Sequence, residues 1–275
     1  MILDGKTIKE ELKGALLARA SAIPPDDRPT LFIIMAGANS VIQNFVSIKK
    51  KFAKSLGVPV EEHVFEDAMA VTTSSLVSVV QEIARSGRNG GIVVQLPLPV
   101  HVDTQTVLNA IPAGQDVDVL GEESLRLFRE GKLAILPPVV GAMREILERN
   151  HVFLDGKKAA VVGMGRLVGA PAAIWFQRIG LEVTTFDINH PPVAEDLLRT
   201  DIIVLGIGKP GFLTPGMVKD GAIVLDAGAS EEGGKIVGDA QPEVAEKCSL
   251  FAPVPGGIGP VTVAVLFQNL FALNA

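Results

Sequence analysis

The segment "DGKKAAVVGMGRLVGAP", residues 155–171, decides the fold class of this chain. Its apolar run predicts a short buried strand, and the glycines that follow predict a tight turn into a helix that begins near Val168. Such a turn gathers backbone N–H groups at the N-terminus of a helix, where they can face a phosphate group. The segment therefore predicts one strand–turn–helix unit of a parallel α/β domain.

The same alternation of short apolar runs and helical patterns extends along the whole chain. Strands are predicted at 30–37, 58–66, 91–97, 158–165, 182–187, 201–208 and 222–228. Helices are predicted at 7–21, 40–56, 73–87, 139–150, 168–179 and 261–273. Nearly continuous apolar strands that alternate with helices are typical of parallel sheets covered by helices, so we expect an α/β protein. A domain boundary is predicted at Pro137 and Pro138, which interrupt the chain before a helix.

Composition excludes several classes of protein. The chain has 275 residues, 48% of them apolar, and a net charge of −6. Its apolar runs are shorter than the roughly 18 residues of a membrane span, and the acidic balance disfavours nucleic acid as a partner. The lone Cys248 and the four histidines show no metal-ligand spacing. We expect a soluble, cytoplasmic protein without a metal and without a membrane or nucleic-acid partner.

The glycines of the turn form a candidate dinucleotide site. Gly163, Gly165 and Gly169 are spaced G-x-G-x-x-x-G, which departs from the G-x-G-x-x-G fingerprint. Asp187 ends the next strand about twenty residues on, where an acidic residue binds a ribose 2′-hydroxyl, and its charge favours NAD over NADP. Arg166 instead favours NADP, because an arginine can hold a 2′-phosphate. The alternative is that the glycines serve close packing and Asp187 is a solvated turn residue.

A lysine in the helix predicted at 40–56 is a second candidate. At 100° per residue, Lys50, Lys51 and Lys54 share a polar face, whereas Lys49 follows Phe45 by one turn on the apolar face. A buried ammonium loses solvation, which lowers its pKa and makes a neutral amine available. The alternative is a lysine whose stem lies along apolar surface while its charge reaches water.

Three further segments carry candidate site residues. Gln95 ends a strand two residues before the first proline of Pro-X-Pro. Asp116 and Asp118 share the loop "AGQDVDVL", and a Pro-Gly-Gly turn at 255–257 precedes the last helix. Strand ends and glycine turns place polar and backbone groups at ligand sites. Taken singly, each is also explained as a strand cap, a loop acid or a turn.

Taken together, these segments are recognisable. The motifs are "FVSIKKKFAKSLG" (45–57), "VVQLPLP" (93–99), "QDVDV" (115–119), "GKPGF" (208–212), "VGD" (237–239) and "PVPGGIGPVTVA" (253–264). Over nearly its full length the chain resembles the bifunctional methylenetetrahydrofolate dehydrogenase/methenyltetrahydrofolate cyclohydrolase family. The resemblance implies a catalytic domain at 1–137, joined by the last helix at 261–275, and a Rossmann-type NAD(P)-binding domain at 138–260. It also implies a cleft between these domains and a homodimer.

The resemblance further implies an activity in one-carbon metabolism. Members oxidise 5,10-methylenetetrahydrofolate to the methenyl form with a nicotinamide cofactor, usually NADP, and hydrolyse the methenyl form to 10-formyltetrahydrofolate. By this resemblance Lys49 assists hydrolysis, Gln95 holds and tunes Lys49, and Asp118 binds the pterin. The implied substrate-binding residues are Phe45, Pro255, Gly256 and Gly257. The candidate cofactor-binding residues are Gly163, Met164, Gly165, Arg166, Asp187 and Ala229.

The chain departs from the family at several supporting positions. Phe45 stands where the family has tyrosine, Val41-Ile42 replaces Ala-Ser, and Val119 replaces a glycine. Gly165 replaces a serine of the cofactor turn, and Asp187 stands near residues that usually bind the 2′-phosphate. We therefore expect NAD to be preferred and the cyclohydrolase to be slow. Two alternatives remain open: a nicotinamide enzyme for another small substrate, which the more apolar Phe45 and Val41-Ile42 favour, and a degenerate homologue without activity.

Overall fold

A computed structural model describes residues 1–37 and 40–275, without the side chains of Ser40 and Val41. The predicted contribution of Val41 thus lies outside the described residues. The chain forms two compact units. The small-sheet unit comprises Glu11–Pro138 and Val263–Ala275, and the large-sheet unit comprises Met1–Glu10 and Val139–Thr262. Residues 1–10 group with the large-sheet unit because the chain start pairs with it: the N–H of Leu3 donates to the carbonyl of Phe251 at 2.8 Å.

The helices and strands alternate through most of the chain. The helices are α1 (Gly5–Ser21), α2 (Ser40–Leu56), α3 (Thr73–Arg85), α4 (Thr104–Asn109), α5 (Glu122–Arg129), α6 (Pro138–Arg149), α7 (Gly169–Arg178), α8 (Ala194–Leu198) and α9 (Ile258–Leu273). The first five strands are β1 (Thr30–Ala36), β2 (Val60–Phe65), β3 (Gly90–Val94), β4 (Lys158–Val162) and β5 (Glu182–Phe186). The others are β6 (Ile202–Leu205), β7 (Ala222–Asp226), β8 (Ser230–Glu232), β9 (Lys235–Val237) and β10 (Cys248–Ala252). Within the described ranges, every helix is too short or too polar to cross a membrane.

The small-sheet unit is built on a parallel sheet of order β2-β1-β3. The central strand β1 is buried from Leu31 to Ala36, as expected for a strand covered on both faces. The chain passes from β1 to β2 on one side and then returns to β3 on the other side of β1. The carboxyl ends of β1 and β3 therefore form a topological switch point, the place where ligands bind in open α/β sheets.

The large-sheet unit contains a parallel sheet of order β10-β7-β6-β4-β5. Its strands β6 and β7 are buried along their whole length. The chain leaves β4 for β5 on one side and returns to β6 on the other, so the switch point of this doubly wound sheet lies between β4 and β6. The glycine turn that follows β4 is thus placed at the ligand-binding edge. The predicted α/β fold class is confirmed.

The predicted elements are all present, and α2 has the predicted ends. Several strands end a few residues before their predicted ends, because the terminal glycines belong to turns. The prediction missed α4, α5, α8, β10 and the antiparallel hairpin of β8 and β9. Each missed element has eight residues or fewer. Such a length gives too few turns or alternations for a periodic pattern to be distinguished from a loop.

Candidate functional site

Lys49 and Gln95 meet at the switch point of the small sheet. The Lys49 ammonium donates to Oε1 of Gln95 at 2.7 Å. Gln95 follows β3 and is buried, and its Nε2 donates to the carbonyl of Leu96 at 2.9 Å. Because Nε2 is engaged in this way, the acceptor oxygen of the amide faces the lysine. Partial burial lowers the pKa of Lys49, and the nearby charge of Asp118 opposes that shift.

The three residues that the resemblance names as catalytic lie in the same unit and interact. Burial raises the pKa of Asp118 to about 6, the charge of Lys49 acts to lower it, and Asp116 raises it further. The pKa of the Lys49 amine is lowered and that of the Asp118 carboxyl is raised, so each group holds its charge less strongly than it would in water. This arrangement is a candidate proton-transfer site.

The loop that carries Asp118 is held from within by Asp116. Asp116 is fully buried, and its Oδ2 accepts the N–H groups of Leu120 and Gly121, both at 2.9 Å. Between them Val119 adopts a φ of 58°, a left-handed conformation that a β-branched residue rarely adopts. This left-handed backbone conformation explains why the family usually has glycine at the position of Val119. The two carboxylates therefore differ in role. Asp116 holds the loop together through its hydrogen bonds, whereas Asp118 is partly accessible and can contact a ligand.

Phe45 lies on the apolar face of α2, as predicted, but it is exposed. Ile42, Val46, Phe52, Ala53 and Leu56 form the buried stripe of this helix, while Phe45 is 43% exposed. On the helical wheel Phe45 lies within about 20° of Phe52 and Leu56, but it lies two to three turns nearer the start of the helix, where its ring is left available to a ligand. Lys49 lies one turn after Phe45 within the angular range of this stripe, so its amine extends from an otherwise apolar face.

The glycine turn after β4 is closely packed. Gly163 has a φ of 92°, and its N–H donates to the carbonyl of Phe186 at 2.8 Å. A Cβ at Gly163 would meet the backbone of Gly206, and a Cβ at Gly169 would meet the carbonyl oxygen of Gly163. By contrast, the nearest atom to a Cβ at Gly165 would be 3.9 Å away. The turn therefore needs glycine at 163 and 169, and it leaves space beside 165.

The other candidate cofactor residues lie along the same sheet edge. Met164, Arg166 and Ala229 are exposed. Oδ1 of Asp187 accepts the N–H groups of Asn189 at 2.9 Å and His190 at 2.8 Å, and these bonds lower the pKa of Asp187. The carboxylate therefore stabilises a turn, as the alternative interpretation expects, and remains charged at the end of β5.

Two buried carboxyls that were not predicted as site residues hold the loops of this edge. Asp239 accepts the N–H groups of Ile207 at 2.8 Å, Gly208 at 3.1 Å and Lys209 at 2.7 Å. Asp226 accepts those of Gly228 and Ala240, both at 2.9 Å, and burial raises its pKa to about 6. The "VGD" motif was the sequence signal for Asp239, while Asp226 ends an apolar strand without any distinguishing pattern.

The Pro-Gly-Gly turn also belongs to the large-sheet unit. Pro255 is exposed, and Gly256 has a φ of 102° with open space around its Cβ direction. Gly257 is buried, and a Cβ there would meet the backbone of Pro253. Gly257 is thus required for packing, while Gly256 presents accessible backbone.

The edge of the large sheet fits a nicotinamide dinucleotide. Gly163 and Gly169 let the turn close on the backbone of Gly206 and on itself, and the space beside Gly165 leaves room for the backbone to approach a pyrophosphate. A charged carboxylate, Asp187, ends the neighbouring strand. Among the described side chains, no group of three or more His, Cys, Asp or Glu residues is arranged to hold a metal ion.

Comparisons with known proteins agree over the whole chain. Residues 3–118 match the tetrahydrofolate dehydrogenase/cyclohydrolase catalytic domain, and residues 137–275 match the NAD(P)-binding domain of the same family. The bifunctional protein FolD of Lachnoclostridium phytofermentans is 34% identical over 272 residues, which are 98% of this chain and 96% of that protein. The FolD protein of Nautilia profundicola is 33% identical over 271 residues, 98% of this chain and 95% of that protein.

Solved structures show the same similarity. The Campylobacter jejuni FolD enzyme superposes with a TM-score of 0.92 at 29% identity, covering 100% of this chain and 98% of that one. The Trypanosoma brucei enzyme, solved with NADP and an inhibitor, gives a TM-score of 0.93 at 29% identity and covers 100% and 97%. The chain therefore belongs to the bifunctional methylenetetrahydrofolate dehydrogenase/cyclohydrolase family.

Proposed function

We propose that this protein oxidises 5,10-methylenetetrahydrofolate with a nicotinamide cofactor and hydrolyses the methenyl product to 10-formyltetrahydrofolate. The observation that carries the proposal is the 2.7 Å contact between the Lys49 amine and Gln95 at the carboxyl edge of the small sheet. It occurs in a chain whose two domains both match the family. The turn at Gly163, Gly165 and Gly169 would hold the dinucleotide, which would supply the acceptor for the hydride that leaves the methylene carbon.

Four side chains of the small-sheet unit carry out the hydrolysis and bind the folate. The lowered pKa of Lys49 lets its neutral amine take a proton from water as the water oxygen bonds to the methenyl carbon and the electron pair of the C=N⁺ double bond moves to nitrogen. Cleavage of the bond between that carbon and N5, with a proton passing to N5, then gives 10-formyltetrahydrofolate. Gln95 keeps the amine in place through its acceptor oxygen. The Asp118 carboxylate accepts hydrogen bonds from the pterin ring, and the exposed Phe45 ring stacks on the folate.

The proposal is tested by comparing Lys49→Met with Lys50→Met. Lys50 follows Lys49 in the chain, but it extends from another side of α2 and forms a salt bridge with Glu62 of β2. Replacing Lys50 therefore leaves the contact between Lys49 and Gln95 intact. With methylenetetrahydrofolate and cofactor, Lys50→Met should form 10-formyltetrahydrofolate as the unchanged protein does. Lys49→Met should lose hydrolysis by at least about a hundredfold, the size of one proton-transfer contribution. Equal hydrolysis by both variants contradicts the role of Lys49, and inactivity of the folded unchanged protein contradicts the function.

We further propose that NAD is preferred over NADP. The support is Asp187, whose charged carboxylate at the end of β5 would repel a 2′-phosphate. We expect kcat/KM with NAD to exceed that with NADP by about tenfold or more, which corresponds to ~1.4 kcal/mol. Asp187→Asn keeps the oxygen that accepts the N–H groups of Asn189 and His190 but removes the charge, so it should narrow the difference. An equal kcat/KM for both cofactors in the unchanged protein contradicts the preference.

We also propose that the protein is a homodimer. The support is β2, which lies at the edge of the small sheet and carries Val64 with 45% of its surface exposed. An open edge strand with an exposed apolar side chain is suited to pairing with a second copy. Sedimentation equilibrium should give twice the chain mass, and Val64→Lys should shift the protein towards the monomer. A monomer at micromolar concentration contradicts the proposal.

A further inference from the structure

Asn269 is a buried amide in the part of α9 that belongs to the small-sheet unit. Its side chain is 4% exposed. Nδ2 donates to the carbonyl of Val117 at 2.9 Å and to that of Leu136 at 2.8 Å. Both donor positions of the amide are therefore used, and they tie a helix near the end of the chain to a loop 152 residues earlier.

The first of these carbonyls belongs to the residue directly before Asp118. Val117 is fully buried, and it packs so closely on β3 that a Cβ at Gly91 would meet its side chain. The peptide group that joins Val117 to Asp118 is thus fixed by packing on one side and by the Asn269 amide on the other. This peptide fixes the backbone on the N-terminal side of Asp118, from which its side chain extends.

The far side of Asp118 is held independently. Val119 is buried in its left-handed conformation, and Asp116 holds the N–H groups of Leu120 and Gly121. These contacts lie within the loop, whose first part is joined to β3 by the N–H of Ile92, which donates to the carbonyl of Gln115 at 2.8 Å. The tie to Asn269 comes from another element and joins the loop to the helix that packs against α2, where the rings of Phe52 and Phe267 lie 5.2 Å apart.

We propose that Asn269 is a positioning residue that holds the Asp118 carboxylate in its folate-binding orientation. The inference rests on the proposed function, in which Asp118 binds the pterin. Loss of the amide leaves the buried carbonyl of Val117 and the partly buried carbonyl of Leu136 without this donor, and the Val117–Asp118 peptide can then move to reach another partner. Tetrahydrofolate binding should suffer, while dinucleotide binding by the other unit should not.

The test is calorimetric binding of tetrahydrofolate and of NAD to the full chain. Asn269→Ala should raise the Kd for tetrahydrofolate about tenfold, because the pterin then loses one hydrogen bond to the Asp118 carboxylate. The Kd for NAD should stay within about twofold. Asn274→Ala is the matched control. Its Nδ2 also donates to two carbonyls, those of Leu270 at 2.7 Å and Gly90 at 3.3 Å, and its loss should change neither Kd.

A double-mutant cycle separates positioning from general destabilisation. If Asn269 acts through Asp118, Asn269→Ala should weaken tetrahydrofolate binding no further in an Asp118→Asn background. Additive losses, or equal losses for both ligands, overturn the inference. If Asn269→Ala does not fold, Asn269→Ser keeps one donor and should show a smaller loss confined to tetrahydrofolate. Unchanged binding by Asp118→Asn alone would instead refute the role of Asp118 in the proposed function.

Discussion

At the scale of single residues, Phe45 is the departure with the clearest chemical consequence. It lies one helical turn before Lys49, and its ring is exposed, so a hydroxyl added to the ring can reach the region of the amine. We predict that Phe45→Tyr raises the cyclohydrolase rate by up to about tenfold, the value of one hydrogen bond to a charged group. The rate of methenyltetrahydrofolate loss measures this. Phe153→Tyr, at an exposed ring in the large-sheet unit, is the control, and an unchanged rate for Phe45→Tyr would show that the hydroxyl is not limiting.

Val119 is a second residue whose geometry conflicts with its type. Val119 is fully buried and has a φ of 58°. Replacing it with alanine or with glycine removes packed methyl groups in both cases, but only glycine also removes the backbone strain. We predict that Val119→Gly is more stable than Val119→Ala by about 1 kcal/mol, the reverse of the usual order of alanine and glycine. Urea unfolding of the two variants measures the difference. If the alanine variant is the more stable, the left-handed conformation carries no strain here.

At the scale of elements, the β4 turn and α7 depend on the close approach of Gly169 to Gly163. A methyl group at 169 would meet the carbonyl oxygen of Gly163, whereas one at Gly165 has its nearest neighbour at 3.9 Å. We predict that Gly169→Ala costs about 1–3 kcal/mol of unfolding free energy and weakens NAD binding at least about tenfold. Gly165→Ala should change the unfolding free energy by less than about 1 kcal/mol. Equal stabilities of the two variants, measured by urea unfolding, would contradict this account of the turn.

The helix α2 shows how one element serves two purposes. Its buried stripe anchors it in the small-sheet unit, and its Phe52 ring contacts Phe267 of α9. The same face carries Lys49 towards Gln95 and leaves Phe45 exposed near the start of the helix. Periodicity correctly assigns both residues to the apolar face, but it cannot show which positions along that face are covered by other elements.

At the scale of the whole molecule, buried carboxyls make stability depend on pH. The pKa values of Asp118 and Asp226 are both raised to about 6, from 3.8 in an unstructured chain. Between about pH 4 and 6 the folded state therefore holds protons that the unfolded state has released, and the unfolding free energy falls as the pH rises. We predict higher stability at pH 5 than at pH 7, on the order of 1 kcal/mol for each proton and pH unit.

Urea unfolding across this range checks the sign, and Asp118→Asn is the informative variant. It removes one of the carboxyls whose pKa is raised and should give a smaller slope. A stability that rises from pH 5 to 7 in the unchanged protein would contradict the prediction. The slope is a property of both units, since Asp118 belongs to the small-sheet unit and Asp226 to the large-sheet unit.

The two sheets place their candidate sites by the same topological rule. In each sheet the chain reverses direction beside its first strand, and the candidate residues lie at the carboxyl ends of the strands that flank this reversal. Gln95 follows β3 in one sheet, and Gly163 follows β4 in the other. Because strand order follows from which apolar runs pair, single-sequence patterns predict the strands but not the switch points.

By itself the sequence determined the α/β class, the main strands and helices, the glycine turn after β4 and the anomalous position of Lys49. These features are local, because the spacing of apolar residues and the conformational freedom of glycine act over a few residues. Only the tertiary structure decided which distant groups meet. Family resemblance implied that Gln95 holds Lys49, but the contact across 46 residues is visible only in the folded chain. Nothing in the sequence indicated that Asn269 bonds to the Asp118 loop across 152 residues. Hydrogen bonding between buried polar groups depends on the packed positions of whole elements, which no local pattern specifies.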